Sequence, residues 1–216
     1  MGEITLVRHG QANSAADNEA DYDNLSDLGR QQAKWLGAWM AAHDQPYDVV
    51  YSGTLHRQMD TATEMGFPNA QRDARLNEIA YYDLTEEMAE YRPDLPRVSP
   101  SDFEVHFPAT LNAWKDGHIN GTESWVAFCT RVSEILDLAS QPGKRVLCVT
   151  SGGIIARAVS QILALDIENM ARIAVPVYNT SVHRFHVREG SIPLLATFNS
   201  APHLDVADRI EARTYY

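Results

Sequence analysis

Three short stretches of this sequence hold side chains suited to handling a phosphoryl group. Arg8-His9-Gly10 closes the run EITLVRHG, Arg57 lies in LHRQMDTATEM just after Ser52-Gly53, and Ser151-Gly152-Gly153 follows KRVLCVT. Arginine stays charged and grips phosphate through two parallel N–H donors. A neutral imidazole nitrogen is a competent nucleophile toward phosphorus, and neighbouring arginines would stabilise the charge on the transferred oxygens. A glycine turn between a strand and a helix aims backbone N–H groups outward, where they favour an anion. His9 is therefore a candidate nucleophile, with a core histidine or a ligand as the alternatives, and Gly10 is read as room for substrate to approach the backbone. Gln11 and Asn13 are further donors within reach of the same turn.

These residues need elements that bring them together. EITLVRHG reads as a buried strand, and DNLSDLGRQQAKWLGAWMAAH as a helix behind a Ser26 or Asp27 cap, with Leu28, Gln32, Trp35, Leu36, Trp39 and Met40 at helical spacing. YDVVYSG is a second strand, and a second helix starts just after Gly53. ESWVAFCTRVSEILDLAS is strongly amphipathic, KRVLCVT is another buried strand, GGIIARAVSQIL a helix, and TSVHRFHV with IPLLATFN a hairpin turning at Glu189 and Gly190. The alternation predicts a three-layer α/β/α domain over residues 1–216, its sheet mainly parallel with one antiparallel edge strand. Between about 81 and 121, Pro93, Pro96, Pro100 and Pro108 separate short helical pieces, which reads as a helical insert or lid. Ligands of open α/β sheets bind beyond the carboxyl ends of the strands, so the three stretches should share one pocket.

Composition narrows the function. The 216 residues carry a net charge of −11 with 18 Lys and Arg and no basic cluster, which argues against nucleic acid as a partner. The apolar runs fall short of a membrane span, and Met1-Gly2-Glu3 opens without a basic or apolar leader, so a soluble cytoplasmic protein is expected. Cys129 and Cys148 sit in apolar patterns and read as core thiols. Asp21, Asp23 and Asp27 would suggest calcium, but Leu25 and Ser26 stand at the third ligand and glycine positions of such a loop, so an acidic turn before a helix is the better reading. His183 and His186, three apart on a strand, face opposite sides and cannot pair on a metal. A nucleophile elbow at Ser151, with Asp166 and His203 as partners, would need glycine where Val149 stands.

Five segments, in order, resemble the histidine phosphatase superfamily, also called phosphoglycerate mutase-like: LVRHGQ, NLSDLGRQQA, VVYSGTLHRQMDTA, LNEI and FNSAPHL, spanning most of residues 3 to 204. The resemblance implies a phosphomonoesterase without metal or other cofactor. His9 would become a transient phosphohistidine, Arg8 and Arg57 would clamp the phosphate, and Glu78 would protonate the leaving oxygen and then activate water, with Asp73 or Glu86 as substitutes. Where the family carries a second histidine against the phosphate, this chain has Ser151-Gly152. Loss of one well-placed donor costs on the order of 10² to 10³ in rate. The expectation is a phosphatase for a small phosphorylated metabolite, with activity reduced by Ser151 or with His203 taking over. The rivals are a non-catalytic phospho-ligand binder and a mutase. The insert has no run of Lys or Arg, which disfavours polyphosphorylated ligands. A monomer or homodimer is expected, with an exposed Trp114 and the tail IEARTYY either belonging to an interface or simply covering the sheet.

Overall fold

The apolar runs of EITLVR and RVLCVT leave no polar face, and in the computed structural model, which describes residues 1–13, 16, 19–95 and 103–215, both are central strands. β1 (Gly2–Arg8) pairs in parallel with β4 (Arg145–Thr150), and β4 in parallel with β2 (Val49–Ser52). β3 (Gln71–Arg72) extends that side, while β5 (Val182–Val187) and β6 (Leu194–Ser200) complete the order β3-β2-β4-β1-β5-β6. Antiparallel pairing is confined to the last edge, where β5 runs against both β1 and β6. The hairpin between them turns at Gly190, whose φ is +67°.

Strand residues alternate between two helical layers. Val7, Leu147 and Val149 pack against α2 (Asp27–His43) and α3 (His56–Glu64) through Ala33, Leu36, Met40, Ala62 and Met65. Ile4, Leu6, Val146 and Cys148 face the larger layer, built from α4 (Tyr81–Tyr91), α5 (Phe103–Lys115), α6 (Trp125–Ala139), α7 (Gly152–Leu163) and α8 (Ile167–Ala174). Burial in that layer pushes the Cys148 thiol up to about 12, so it is inert packing, whereas Cys129 is only half-buried with its sulfur 3.1 Å from Arg157 Nε. Helix starts follow their caps: Ser26 accepts from Gly29 N, Ser124 from Ala127 N and Asp166 from Asn169 N. Among the described residues, no helix is long and apolar enough to cross a membrane.

The insert is more regular than its prolines predict. α4 ends before Pro93, but α5 runs through Pro108. An interior proline costs about 3 kcal/mol, which burial of Phe107, Leu111 and Trp114 on one face of α5 offsets. Pro96 and Pro100 lie outside the described residues. Trp114 is not a surface residue: it is 2% exposed, packed on Trp125 and Phe128, with its indole N–H donating to the carbonyls of Asn120 and Glu123. The tail covers the sheet end instead of standing free, as Gln32 Nε2 donates to Ala212 O and Asn179 N to Thr214 O.

Candidate active site

The register decides which residues meet. Arg8 lies opposite Thr150, and Ser52 opposite Val149, so His9, Gly53 and Ser151 leave the sheet at one end and side by side. The His9 N–H donates to Thr150 O at 2.8 Å, while its carbonyl accepts from Asn179 Nδ2 and the Thr180 N–H. Its ring is 2% exposed, with Nδ1 2.7 Å from Gly10 O. A carbonyl only accepts, so Nδ1 carries the proton and Nε2 keeps its lone pair. Burial, then the charges of Arg57 and Arg8, hold the His9 pKa well below 6.5. The ring is thus a neutral imidazole whose Nε2 has no hydrogen-bond partner among the described residues.

Gly10 serves packing. A side chain there would meet Gly29 O at 2.4 Å, so the space sequence reasoning assigned to substrate is filled by the first turn of α2. The Gly10 N–H donates to Thr61 Oγ1, which itself donates to Arg57 O, tying the β1 loop to α3.

Arg57 is fully buried. Its Nη1 lies 3.0 Å from Asp23 Oδ1, and its guanidinium stacks 4.9 Å from the ring centre of Tyr22, at the end of the short helix α1 (Glu19–Tyr22). Asp23 also accepts from the backbone N–H groups of His56 and Arg57, capping α3 where its N-cap Leu55 offers no acceptor. The acidic turn read as preceding α2 therefore serves α3 and the arginine.

Arg8 points its Nη1 at the carbonyls of Val177 and Tyr215. Its Nε is buried with no partner among the described residues, beside Gly152, whose missing side chain would touch it at 3.7 Å. Burial lowers the Arg8 pKa, opposed by Tyr22 and Glu78, and a guanidinium remains charged nonetheless.

Glu78 reaches the same corner. Its two oxygens accept from the Ile79 N–H and the Gly153 N–H, each at 3.0 Å. A Cβ on Gly153 would lie 2.3 Å from the carboxylate, so Glu78 keeps this position only while residue 153 has no side chain. Of its alternatives, Asp73 is spent on Arg75, which holds its carboxyl below the usual range, and Glu86 is exposed on α4.

Ser151 is the N-cap of α7 but makes no capping bond; its Oγ accepts from Gln58 Nε2 at 2.8 Å, fully buried. His203 sits one layer behind, with Nε2 2.8 Å from Thr180 Oγ1, and Thr180 in turn donates its N–H to Arg8 O and His9 O. Burial and Arg209 lower the His203 pKa to about 4. Gln11 and Asn13 hold the loop: Gln11 Oε1 accepts from Ser26 Oγ, and Asn13 Nδ2 donates to Asp21 O.

Tyr22, Asp23, Gln58, Thr61 and Thr180 were not foreseen as site residues. Thr61, one helical turn beyond Arg57, carried a spacing signal. Thr180, at φ +57°, carried none.

Residues 4–200 match the Histidine phosphatase superfamily (branch 1). A 2,3-bisphosphoglycerate-dependent phosphoglycerate mutase of Rhizobium etli (strain CIAT 652) is 37% identical over 94 residues, 39% of this chain and 44% of the mutase. The chain thus spans less than half the length of that relative. A glucosyl-3-phosphoglycerate phosphatase of Mycobacterium tuberculosis (strain CDC 1551 / Oshkosh) is 27% identical over 186 residues, 77% of each chain. Phosphoserine phosphatase from Entamoeba histolytica, in complex with 3-phosphoglyceric acid, shares the fold with TM-score 0.67 and 23% identity, covering 94% of this chain and 100% of its own. The α-ribazole phosphatase from Shigella flexneri does so with TM-score 0.66 and 21% identity, covering 92% and 96%.

Proposed function

Because the chain belongs to the histidine phosphatase superfamily (branch 1), we propose that it hydrolyses a small phosphorylated metabolite by way of a phosphohistidine at His9. One observation carries the reading: His9 is a buried neutral imidazole whose Nδ1 is committed to Gly10 O, leaving Nε2 as nucleophile among two buried arginines. Phosphatases among the relatives, named for monoesters such as glucosyl-3-phosphoglycerate, support a phosphatase-type enzyme.

In the first half-reaction Nε2 attacks phosphorus, the P–O bond to the leaving group breaks, and Glu78 delivers a proton to the departing oxygen. Arg8 and Arg57, with the turn at Ser151 and Gly152, stabilise the oxygens of the transferring group. In the second, Glu78 takes a proton from water, the water oxygen attacks phosphorus, and the P–N bond breaks to return His9 and release phosphate. The charge neutralisation comes from the protein's own arginines. Gln11 Oε1 and Asn13 Nδ2 tie their loop to Ser26 Oγ and Asp21 O, and each side-chain amide keeps a further N–H to offer the phosphate. His203 acts through Thr180 on the backbone of Arg8 and His9.

A binder without turnover is the second reading, favoured by the neutral Ser151 and by the Asp23 carboxylate on Arg57. A generic aryl phosphate separates the two. The enzyme releases phosphate and His9→Ala abolishes release; equal, negligible release by both proteins would leave only the binder. A mutase is the lesser reading, because its bisphosphate-regenerated phosphoenzyme would call on the donor that Ser151 replaces.

A further inference from the structure

Gln58 has no place in the scheme above, yet it is as buried as the arginine beside it. Its Nε2 donates to two acceptors, Leu76 O at 2.9 Å and Ser151 Oγ at 2.8 Å. Leu76 O also accepts from Thr150 Oγ1 at 2.7 Å. That carbonyl fixes the amide orientation: turned over, Gln58 would set Oε1 against another acceptor. The orientation leaves Oε1 buried with no partner among the described residues, in space that exists only because residue 53 is glycine. Orphaned buried acceptors are rare and call for a reason other than stability.

Ser151 supplies that reason. With Gln58 filling an acceptor lone pair, the hydroxyl proton must be donated elsewhere, and no described residue accepts it. Oγ stands at the start of α7, next to Gly152, which adjoins the unpartnered Arg8 Nε. We propose that Gln58 is a positioning residue that holds Ser151 as a hydrogen-bond donor to the transferring phosphoryl oxygen. The inference rests on the phosphatase reading for its catalytic meaning. The amide and the hydroxyl together supply one oriented donor without adding charge.

The test is a double-mutant cycle of Gln58→Met and Ser151→Ala, read as kcat and KM on an aryl phosphate, as the dissociation constant of vanadate, and as Tm. Removing a hydrogen bond to a charged oxygen costs about tenfold or more. Each single variant should lose about that factor in kcat and in vanadate affinity, with KM little changed, and the double variant should lose no more than either single. Tm of Gln58→Met should hold or rise, because methionine removes the orphaned acceptor. Gln58→Glu, whose carboxylate would draw the serine proton away from the pocket, should show the same loss. Multiplying losses in the double variant, or wild-type kcat and vanadate binding in Gln58→Met, would overturn the proposal. Should wild type and His9→Ala release phosphate equally slowly, the phosphatase reading fails alone, and the vanadate cycle still decides the role of Gln58.

Discussion

The ends of β1 and β4 lie side by side, yet they are built differently. Beyond β1, Arg8 and His9 bring a charge and a nucleophile, and both are locked by backbone groups: Val177 O and Tyr215 O for the arginine, Gly10 O for the imidazole. Beyond β4, Ser151 and the two glycines bring only dipoles, oriented by Gln58 and Glu78. Positive charge comes to this corner from β1 and α3, while the β4 end contributes backbone dipoles and hydrogen bonds. A charged group needs counter-charges and carbonyls around it to be buried at all. A hydroxyl needs only one partner.

The largest expected effect lies at the β1 end. His9→Ala removes the proposed nucleophile, and aryl phosphate turnover should fall by at least about 10³; residual activity within tenfold of wild type would remove His9 from the mechanism. Next is Arg57→Ala, expected to cost on the order of 10² to 10³ in kcat/KM. Because Asp23 would then be left without its cation, a drop in Tm should accompany the loss; unchanged kcat/KM would shift the clamp to Arg8 alone.

Acid should weaken the layer beneath the β1 end. Burial, with the Arg8 charge, holds His183 down to about 3, and His203 lies at about 4, against 6.5 when unfolded. Both are neutral in the folded chain, so below pH 6.5 the unfolded state binds more protons, and stability present above that value is lost as pH falls toward 4. The loss is on the order of a few kcal/mol, visible as a Tm decline between pH 7 and 4.5 that His203→Gln makes shallower. A flat Tm over that range would mean that these histidines open to water.

The smallest effects belong to the β4 end, and they also refine what a histidine there would do. Ser151 is fully buried, with the Gln58 amide 2.8 Å from Oγ, so Ser151→His alone collides with Gln58 and should lower kcat. Combined with Gln58→Ala, which vacates the space, it should recover wild-type kcat or exceed it by about tenfold, the worth of exchanging a neutral hydrogen bond for a charged one. A single Ser151→His variant faster than wild type would show that the amide yields and that charge, not fit, limits this end.

The strand ends that carry the candidate residues were legible because their signals are local. Arg8-His9-Gly10, Ser52-Gly53 with Arg57, and Ser151-Gly152-Gly153 each announce a strand ending in a turn, and parallel α/β topology puts such ends together. The Ser26 cap and the hairpin turn at Gly190 were read the same way, whereas the Ser124 cap was not. Three elements escaped for lack of signal or of reading: β3 has two residues and α1 four, too few for any period, and α8 carried its Asp166 cap and its apolar Ile167 and Met170 unread. Pro108 misled because propensity is overridden when one helix face is buried.

Sequence alone determined the α/β order and the strand ends, and it singled out His9, Arg8, Arg57 and Ser151 as candidates, since each depends on neighbours a few positions away; Glu78 entered through the family resemblance. Tertiary structure decided who holds them. Asp23 on Arg57, Gln58 on Ser151, Gly153 beneath Glu78, Gly10 against Gly29 and Tyr215 on Arg8 join segments far apart in the chain. Such pairings have no period and no local preference to announce them; they arise because a buried polar group must find a partner wherever the fold brings one within about 3 Å.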